Sequence, residues 1–262
     1  MFASAPRRLG TALAVACIAF ATPASAATLV ADYEFNGDLT SSVAGAPDLV
    51  AANAAGGSFS GGSYFWGGSA SPPTAQGGLT FDNSGNLVAS NDYSIYMVFS
   101  LDSVGGYRRL VDVNNRQSDD GLYAIGSNVQ IYPSSTSANN DIAANEVIKL
   151  LLTVGSGNAD VYVNGVHDLS ITTTLMDINN PQNFVNLFLD NTVGGGQGEF
   201  STGSIDRALF YNGVVSLGDI PDSGVTSSVP EPATWAMMFA GFAAIGFTMR
   251  RKRRQTQVRF AF

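Results

Sequence analysis

Apolar and polar residues alternate in short runs through the middle of the chain, and this period of two is the pattern of half-buried β-strands. The runs 94–101 and 147–154 show it most clearly. Their apolar positions should share one face and form the core: Ile95, Met97, Phe99 and Leu101 in the first run, and Ile148, Leu150, Leu152 and Val154 in the second. The pattern predicts about ten strands in all: 29–35, 94–101, 109–113, 122–125, 129–132, 147–154, 160–163, 166–171, 184–189 and 204–211.

The connections between these runs carry turn residues. Asn164-Gly165 supplies the positive φ angles of a type I′ hairpin turn, and Gly155–Asn158 and Asn212-Gly213 predict two further turns. No convincing amphipathic helix appears, although 216–220 can form one helical turn. Short strands with glycine-rich connections predict an all-β protein built as a two-sheet sandwich. Residues 27–228 are enough for one such domain.

Two segments have a biased composition and are expected to be surface loops: 51–75, rich in Gly, Ser and Ala, and 134–145, rich in Ser and Asn. The first contains three consecutive aromatic residues, Tyr64, Phe65 and Trp66, between glycines. They can form a stacking platform for the apolar face of a sugar ring. The alternative is that they fold back as a lid on the sandwich core.

The N-terminal segment has the three parts of a secretory signal peptide: Arg7-Arg8, an apolar run from Leu9 to Ala21, and small residues at 24–26. We predict cleavage between Ala26 and Ala27, with an uncleaved anchor as the alternative. Residues 14–17 are weakly similar to a lipoprotein box, which gives lipidation of Cys17 as a further alternative. Cleavage removes the single cysteine, so the mature chain can form no disulfide.

The C-terminal segment 233–249 contains no charged residue. About 17 helical residues span roughly 25 Å, enough for a thin bilayer. Trp235 lies at one edge of this predicted helix and five basic residues lie at the other: Arg250, Arg251, Lys252, Arg253 and Arg254. Because Lys and Arg stay on the cytoplasmic side, the domain should lie outside the cytoplasm. Without a processing signal, this segment would be a plain membrane anchor.

The residues before the helix, Val229-Pro230-Glu231-Pro232, form an extended peptide because proline cannot continue a helix. With Trp235, the apolar helix and the basic cluster, segment 229–254 resembles the PEP-CTERM sorting signal of Gram-negative bacteria in its PEPxxWA variant. The tail 255–262 departs from that pattern, which usually ends at the basic cluster. The resemblance implies passage through the secretion machinery, a membrane-anchored intermediate and processing by an exosortase near Pro-Glu-Pro. It also implies release or attachment at the cell surface, often alongside exopolysaccharide.

The charge of the expected mature domain is strongly negative. Its basic residues are five in number: Arg108, Arg109, Arg116, Lys149 and Arg207. A nucleic-acid partner is therefore excluded, because a phosphate backbone requires a basic surface. The acidic composition instead favours calcium or cationic polymers as partners.

Three parts of the domain resemble laminin G-like, concanavalin A-like domains. The opening strand and turn 33–39, the paired strands 146–165 ending in Val-Asn-Gly, and the last strand with its helical turn, 203–220, occur in the family's order. The resemblance implies a jelly-roll sandwich. That fold serves lectins, glucanases and adhesive modules, so it does not by itself decide function.

Glycan-cleaving relatives of this fold carry a Glu-x-Asp-x-x-Glu strand, since retaining hydrolysis needs two carboxylates about 5 Å apart. The domain lacks that pattern, and its glutamates, Glu34, Glu146 and Glu199, are far apart in sequence. The single histidine, His167, lies on an expected strand as a solvent-facing residue, so a histidine-dependent site is not expected. We therefore predict a protein that is not an enzyme.

Calcium is the one cofactor that the sequence suggests. Asp190 and Asn191 at a strand end and Glu199 beyond a glycine-rich loop can supply the oxygen ligands that calcium prefers. A second oxygen-rich loop contains Asp112, Asn114, Asp119 and Asp120 without EF-hand spacing. The alternative is that Asp190 and Asn191 cap a turn through bonds to the backbone.

These observations predict an exported, surface-directed β-sandwich that binds carbohydrate or acts as an adhesive component of the extracellular matrix. A secreted glycan hydrolase or lyase, which needs clustered carboxylates in a cleft, is the first alternative. A purely structural matrix protein is the second.

Overall fold

The computed structural model describes residues 27–53, 56–89, 91–139, 141–178, 183–193, 198–221 and 241–243. Within these ranges the chain forms fifteen strands: β1 Thr28–Tyr33, β2 Val50–Ala51, β3 Ser58–Ser60, β4 Ser63–Trp66, β5 Leu79–Asp82, β6 Tyr93–Leu101, β7 Tyr107–Asp112, β8 Gly121–Ile125, β9 Asn128–Tyr132, β10 Ser135–Thr136, β11 Ile148–Gly155, β12 Asn158–Val163, β13 Val166–Thr172, β14 Phe184–Leu187 and β15 Gly203–Asn212. Short 3-10 turns occur at Pro73–Ala75 and Leu217–Asp219. All ten strands expected from the sequence are present, as is the helical turn near residue 218.

Most of the two expected targeting segments lies outside the described residues. This applies to Ala26 and to the sorting residues Val229, Pro230, Glu231, Pro232 and Trp235, and equally to the basic cluster Arg250, Arg251, Lys252, Arg253 and Arg254. Residues 241–243, within the expected membrane helix, are helical. In the described part of the chain, no helix has the length and apolar character needed to cross a membrane.

The strands form two antiparallel sheets. The larger sheet has the order β13-β12-β11-β6-β15-β4-β3, and β1 pairs with the second half of β15. The smaller sheet has the order β10-β9-β8-β7-β14-β5-β2. Neighbours in sequence are often not neighbours in the sheets, which is the crossed connectivity of a jelly roll. The expected all-β, jelly-roll sandwich is therefore confirmed.

The main core lies between the two sheets. The alternating positions of β6 and β11 face it as expected, and their side chains are at most 1% exposed. Aromatic residues complete this core, including Phe81 and Phe210, whose rings stack at 4.2 Å. Burial of these apolar faces supplies the main driving force for joining the sheets.

A second apolar cluster covers the outer face of the larger sheet. It contains Tyr96, Leu151, Leu209 and Tyr211, and the segment after β15 folds back to cover them. Ala27, the first residue of the expected mature chain, packs against the same cluster. Both ends of the domain therefore meet on one face, and β6 and β11 are buried on both sides. Strand alternation alone predicts burial of only one side.

The expectation of a loop over 51–75 is wrong in part, because β3 and β4 form a hairpin there. The reason is the alternation Ser63-Tyr64-Phe65-Trp66, which places every second side chain in the core. Glycine-rich flanks concealed this short strand signal. The type I′ turn at Asn164-Gly165 is confirmed, since both residues have positive φ, of 50° and 86°.

Candidate functional site

The three consecutive aromatic residues do not share one surface. Tyr64 and Trp66 are 3% and 2% exposed, whereas Phe65 is 42% exposed on the opposite face of β4. The Trp66 ring stacks on Phe188 at 4.0 Å, and its Nε1–H donates a hydrogen bond of 2.7 Å to the carbonyl of Ser201. Strand alternation therefore prevents a platform made of all three rings, and two of them form core.

Asp190 is completely buried and uses its carboxylate to hold the chain after β14. Its Oδ1 accepts a bond of 2.8 Å from the backbone N–H of Asn191, and its Oδ2 accepts from the N–H groups of Gly198 and Glu199 at 2.8 and 3.0 Å. These contacts match the capping alternative. Calcium binding by Asp190, Asn191 and Glu199 stays a prediction.

In the second oxygen-rich loop, the carboxylate of Asp112 is also used in contacts within the domain. The buried carboxylate of Asp112 pairs with Arg109 and accepts bonds from the backbone N–H groups of Asn114 and Arg116. Across the described ranges, no group of three or more His, Cys, Asp and Glu side chains is arranged to hold a metal ion. Asp112 therefore supports the loop from inside.

His167 lies on β13 with 47% of its side chain exposed, as expected. Its Nε2 lies 3.1 Å from Oδ1 of Asp160, and its ring contacts Tyr162 at 4.8 Å. No other histidine occurs in the chain, so the residue fits a surface contact between neighbouring strands.

The outer face of the smaller sheet carries a cluster that the sequence pattern did not predict. Tyr107 on β7, Tyr123 on β8 and Tyr132 on β9 form a triangle with ring centroids 5.8 to 6.0 Å apart and edge-on orientations. Gln130 lies opposite Tyr123 in the strand register, so its side chain joins the same face. Tyr107 and Tyr132 are partly exposed, whereas Tyr123 is buried. We call Tyr107, Tyr123, Tyr132 and Gln130 the tyrosine face.

Arg109 fixes the centre of the tyrosine face. Its guanidinium carbon lies 5.1 Å from the centre of the Tyr123 ring, a favourable cation–π geometry. The same guanidinium pairs with Asp112 Oδ1 at 3.1 Å and donates to the carbonyl of Ser118 at 2.9 Å. The side chain is fully buried, so these bonds replace its lost hydration. The Tyr123 ring is thereby held rigidly.

Several polar atoms beside this face have unused hydrogen-bonding capacity. Among the described residues, Glu199 Oε2, Asp119 Oδ1 and Gln130 Oε1 are shielded from solvent and have no hydrogen-bond partner. An isolated atom of this kind costs about 1–3 kcal/mol, and native proteins keep few of them. Because they are shielded from solvent, these atoms do not form part of the surface that a ligand of the tyrosine face would contact.

Glu199 lies at the edge of the tyrosine face, because its backbone carbonyl accepts a bond of 3.0 Å from the N–H of Arg109 on β7. Burial raises the pKa of Glu199 to about 7. The Asp190 and Asp119 carboxylates act in the same direction, whereas the Tyr123 hydroxyl and Arg109 oppose them. The Tyr123 O–H itself donates to the carbonyl of Asp119 at 2.9 Å. Near neutral pH, Glu199 is thus about half protonated and can donate as well as accept.

The residues of the tyrosine face follow a local pattern in the sequence. In 107–109, 122–124 and 129–132, the outward positions of the expected alternation are Tyr107, Arg109, Tyr123, Gln130 and Tyr132. Alternation predicts that they point outward, but only the strand register shows that they meet. Glu199 reaches them from a segment about 70 residues further along the chain, which no local pattern can show.

Solved structures with the same fold include several whose bound molecules are sugars. Domain 4 of AbnA, an arabinanase from Geobacillus stearothermophilus in complex with arabinotriose, matches with a TM-score of 0.52 and 20% identity over 76% of this chain and 100% of that one. Trypanosoma rangeli sialidase in complex with sialic acid matches with a TM-score of 0.53 and 13% identity, over 72% of this chain and 31% of that one. At these identities, the likeness shows the fold alone.

Botulinum neurotoxin type C, in a structure concerned with its interaction with two ganglioside molecules, matches with a TM-score of 0.54 and 13% identity. The match covers 74% of this chain and 49% of the neurotoxin chain. The chain thus spans about half of the neurotoxin and about a third of the sialidase. A comparison of the sequence with curated proteins finds no match.

Two family models match the sequence. The PEP-CTERM protein-sorting motif matches residues 228–254, which agrees with the resemblance of segment 229–254 and indicates export, exosortase processing and sorting to the cell surface of a Gram-negative bacterium. The model of the concanavalin A-like lectin/glucanases superfamily, Laminin_G_3, matches residues 73–221, more than half of the chain. The chain therefore belongs to the concanavalin A-like lectin/glucanases superfamily and carries a PEP-CTERM sorting motif.

Proposed function

We propose that this exported protein is a non-catalytic carbohydrate-binding or adhesive component of the cell surface, and that the tyrosine face is its binding surface. The observation that carries the proposal is the tyrosine triangle on the outer face of the smaller sheet, in which Tyr107 and Tyr132 are partly exposed. Small-molecule sites combine aromatic rings with a few placed polar groups in this way.

The chemistry of a sugar matches both parts of this surface. The C–H face of a pyranose ring packs on the edges and faces of Tyr107 and Tyr132, which are partly exposed. Sugar hydroxyls both donate and accept, so they can pair with the hydroxyl groups of Tyr107 and Tyr132. A ligand that is purely apolar would leave these hydroxyl groups without partners. The tyrosine face therefore favours a hydroxyl-rich ligand.

The structural neighbours support a glycan over other hydroxylated ligands. Arabinotriose, sialic acid and gangliosides are the molecules named with the arabinanase domain, the sialidase and the neurotoxin. Their common fold does not carry these specificities to the present chain, since function depends on the site. An exopolysaccharide outside the cell is the partner that best combines this fold with surface sorting.

The sorting route is part of the proposal. After cleavage between Ala26 and Ala27, the chain passes through an inner-membrane intermediate held by the predicted helix 233–249. An exosortase then cuts near Pro230 to Pro232, and the domain is released or attached outside the cell. Ala27, the first residue after the expected cleavage site, packs on the outer apolar cluster.

Glycan hydrolysis is the second candidate, and one observation favours it. Glu199 has a pKa of about 7 and lies near the Asp119 and Asp190 carboxylates, although Asp119 is far from the other two residues in sequence. A general acid needs a raised pKa, and a second carboxylate can act as base or nucleophile. Asp190 is committed to three backbone N–H groups, which leaves Asp119 as the partner for this alternative.

A glycan array probed with the exported, processed protein tests the proposal. We expect binding to at least one polysaccharide, and we expect Tyr132→Ala and Tyr107→Ala each to weaken it by about tenfold, which corresponds to about 1.4 kcal/mol. Tyr162→Ala, on the outer face of the other sheet, is the matched control and should leave binding unchanged. Absence of binding to every glycan supports the structural matrix alternative.

The same protein distinguishes binding from hydrolysis. Incubation with the bound glycan should release no reducing ends if the protein is a binding module. Release of reducing ends that disappears in Glu199→Gln, with binding retained, would establish the hydrolase instead. Glu146→Gln, an exposed glutamate, is the control for this variant.

A further inference from the structure

A cleft separate from the tyrosine face lies at the edge of the larger sheet, between the loop after β1 and the β3–β4 hairpin. It consists of two adjoining cavities of about 240 and 210 Å³, and Phe35 and Asn36 line both. Each is smaller than the 300–1,000 Å³ that is typical of drug-sized sites. Together they form a groove of a size suited to one or two small rings. We call this groove the hairpin cleft.

The first cavity is aromatic. Phe59 lines it with 37% of its surface exposed, and β3 is the last strand in the order of the larger sheet. The Phe59 ring contacts Tyr64 at 5.1 Å, and Tyr64 in turn stacks on Phe35 at 6.4 Å. The exposed ring thus rests on two buried aromatic residues, which fixes its orientation before any ligand binds.

The second cavity is acidic. Asp32, Glu34 and Asp38 line it. Asp32 is neutralised by Arg207, whose Nε and a terminal nitrogen lie 3.2 and 3.0 Å from its two oxygens. Glu34 accepts from the Asn36 amide at 3.2 Å, and the pKa of Asp38 is lowered by the bonds that it accepts from the Thr40 hydroxyl and N–H. Glu34 and Asp38 are both exposed in this second cavity, which shares Phe35 and Asn36 with the first.

We propose that the hairpin cleft binds a protonated amino sugar, namely a hexosamine with a free amine in a cationic polysaccharide. The ammonium group pairs with Glu34 and Asp38, and the apolar face of the sugar packs on Phe59. Asn36, Ser60 and Thr40 line the groove and serve the sugar hydroxyls. This site is independent of the tyrosine face, which belongs to the other sheet.

The residues that line the hairpin cleft favour an amino sugar over a lysine side chain as the ligand. A lysine stem is apolar and would contact only Phe59 and the edge of Phe35, which leaves the hydroxyl and amide groups of the groove unused. An amino sugar uses the carboxylates, the ring and the polar lining together. The domain's excess of acidic over basic residues adds a long-range attraction for a cationic polymer.

Titration calorimetry with a glucosamine tetramer and an N-acetylglucosamine tetramer tests the proposal on the exported, processed protein. We expect the glucosamine tetramer to bind at least about tenfold more tightly, because acetylation removes the charge that the carboxylates recognise. The double variant Glu34→Gln/Asp38→Asn should abolish this preference. Phe59→Leu, which keeps the packing on Tyr64 but loses the aromatic face, should weaken binding about fivefold.

Matched controls separate binding in the hairpin cleft from binding elsewhere on the domain. Phe65→Leu changes an exposed aromatic residue on the opposite face of the same hairpin and should have no effect on binding. Tyr132→Ala changes the tyrosine face and should leave binding of the glucosamine tetramer intact, even where it abolishes binding of a neutral glycan. Equal affinity for both tetramers, or no binding of either, would overturn the proposal. Tighter binding of a lysine tetramer than of the glucosamine tetramer would assign the cleft to basic peptides instead.

Discussion

The guanidinium of Arg109 lies 5.1 Å from the centre of the Tyr123 ring and 3.1 Å from the Asp112 carboxylate, and none of these groups has appreciable contact with solvent. The ion pair supports the loop 112–120 on one side, and the cation–π contact orients the tyrosine face on the other. The buried ion pair of Arg109 and Asp112 thus holds the tyrosine face in place, although burying two charges costs free energy.

Arg109→Met should reduce the free energy of unfolding by about 3–5 kcal/mol, because it leaves the buried Asp112 carboxylate without its partner. Urea denaturation followed by tyrosine fluorescence measures the change. The double variant Arg109→Met/Asp112→Leu should recover part of the loss, since no isolated charge remains. If the double variant lost more unfolding free energy than the two single variants together, this role of the ion pair would be contradicted.

Stability should fall as the pH rises from about 4.5 to 7, because the pKa of Glu199 is raised in the folded state above its ordinary value of 4.5. In that window the folded chain holds more protons than the unfolded chain, so deprotonation favours unfolding. The side chain is partly exposed, so we expect a loss of only about 1 kcal/mol. Glu199→Gln should remove this slope in urea midpoints measured at pH 4.5, 6 and 8, and Glu146→Gln should keep it.

Asp190→Asn should destabilise the domain by about 1–3 kcal/mol. The side-chain nitrogen of asparagine is a donor, so it cannot accept the hydrogen bonds that backbone N–H groups donate to the Asp190 carboxylate. Asp48→Asn, at an exposed aspartate, is the control and should have little effect. Melting curves with and without calcium test the metal prediction on the same proteins. A midpoint that rises with calcium in the parent but not in Asp190→Asn would place a metal at this turn.

Trp66→Ala should cost about 3–5 kcal/mol, because it removes a buried ring that stacks on Phe188 and leaves a cavity. Phe65→Ala, one position earlier, should cost about 1 kcal/mol or less, since that ring faces solvent. Thermal unfolding of both variants measures the contrast. Similar costs at the two positions would contradict the alternation of β4.

Cells with and without exosortase activity test the sorting route. The protein outside the cell should begin at Ala27 and end near Pro230 to Pro232, as measured by intact mass. A variant with Pro230→Ala and Pro232→Ala should accumulate in the membrane fraction with its C-terminus intact, because the extended recognition peptide is lost. Equal export in both strains would show that the segment is a plain anchor.

The strand content was predictable because each strand leaves a local signal. The two-residue period of 94–101 and 147–154 correctly assigned their core positions, and Asn164-Gly165 correctly marked a hairpin. The strands that were missed, β2, β3, β4, β5 and β10, have two to four residues each, and a run that short gives only a weak signal, which glycine-rich flanks further concealed at β4. The burial of Tyr96 and Leu151 was missed for another reason, since the covering segment arrives from residues 215–220.

The sequence by itself determined ten of the strands, the hairpin turn at Asn164-Gly165, the inward faces of the main core and the sorting motif, because periodicity, turn chemistry and runs of apolar or basic residues are local properties. The tertiary structure decided which outward side chains meet. It brings Glu199 to Tyr123, places Arg109 over the same ring, and leaves Phe59 exposed in a cavity that shares Phe35 and Asn36 with the cavity of Glu34 and Asp38. These relationships depend on strand register and crossed connections between distant segments, and both proposed binding surfaces arise from them.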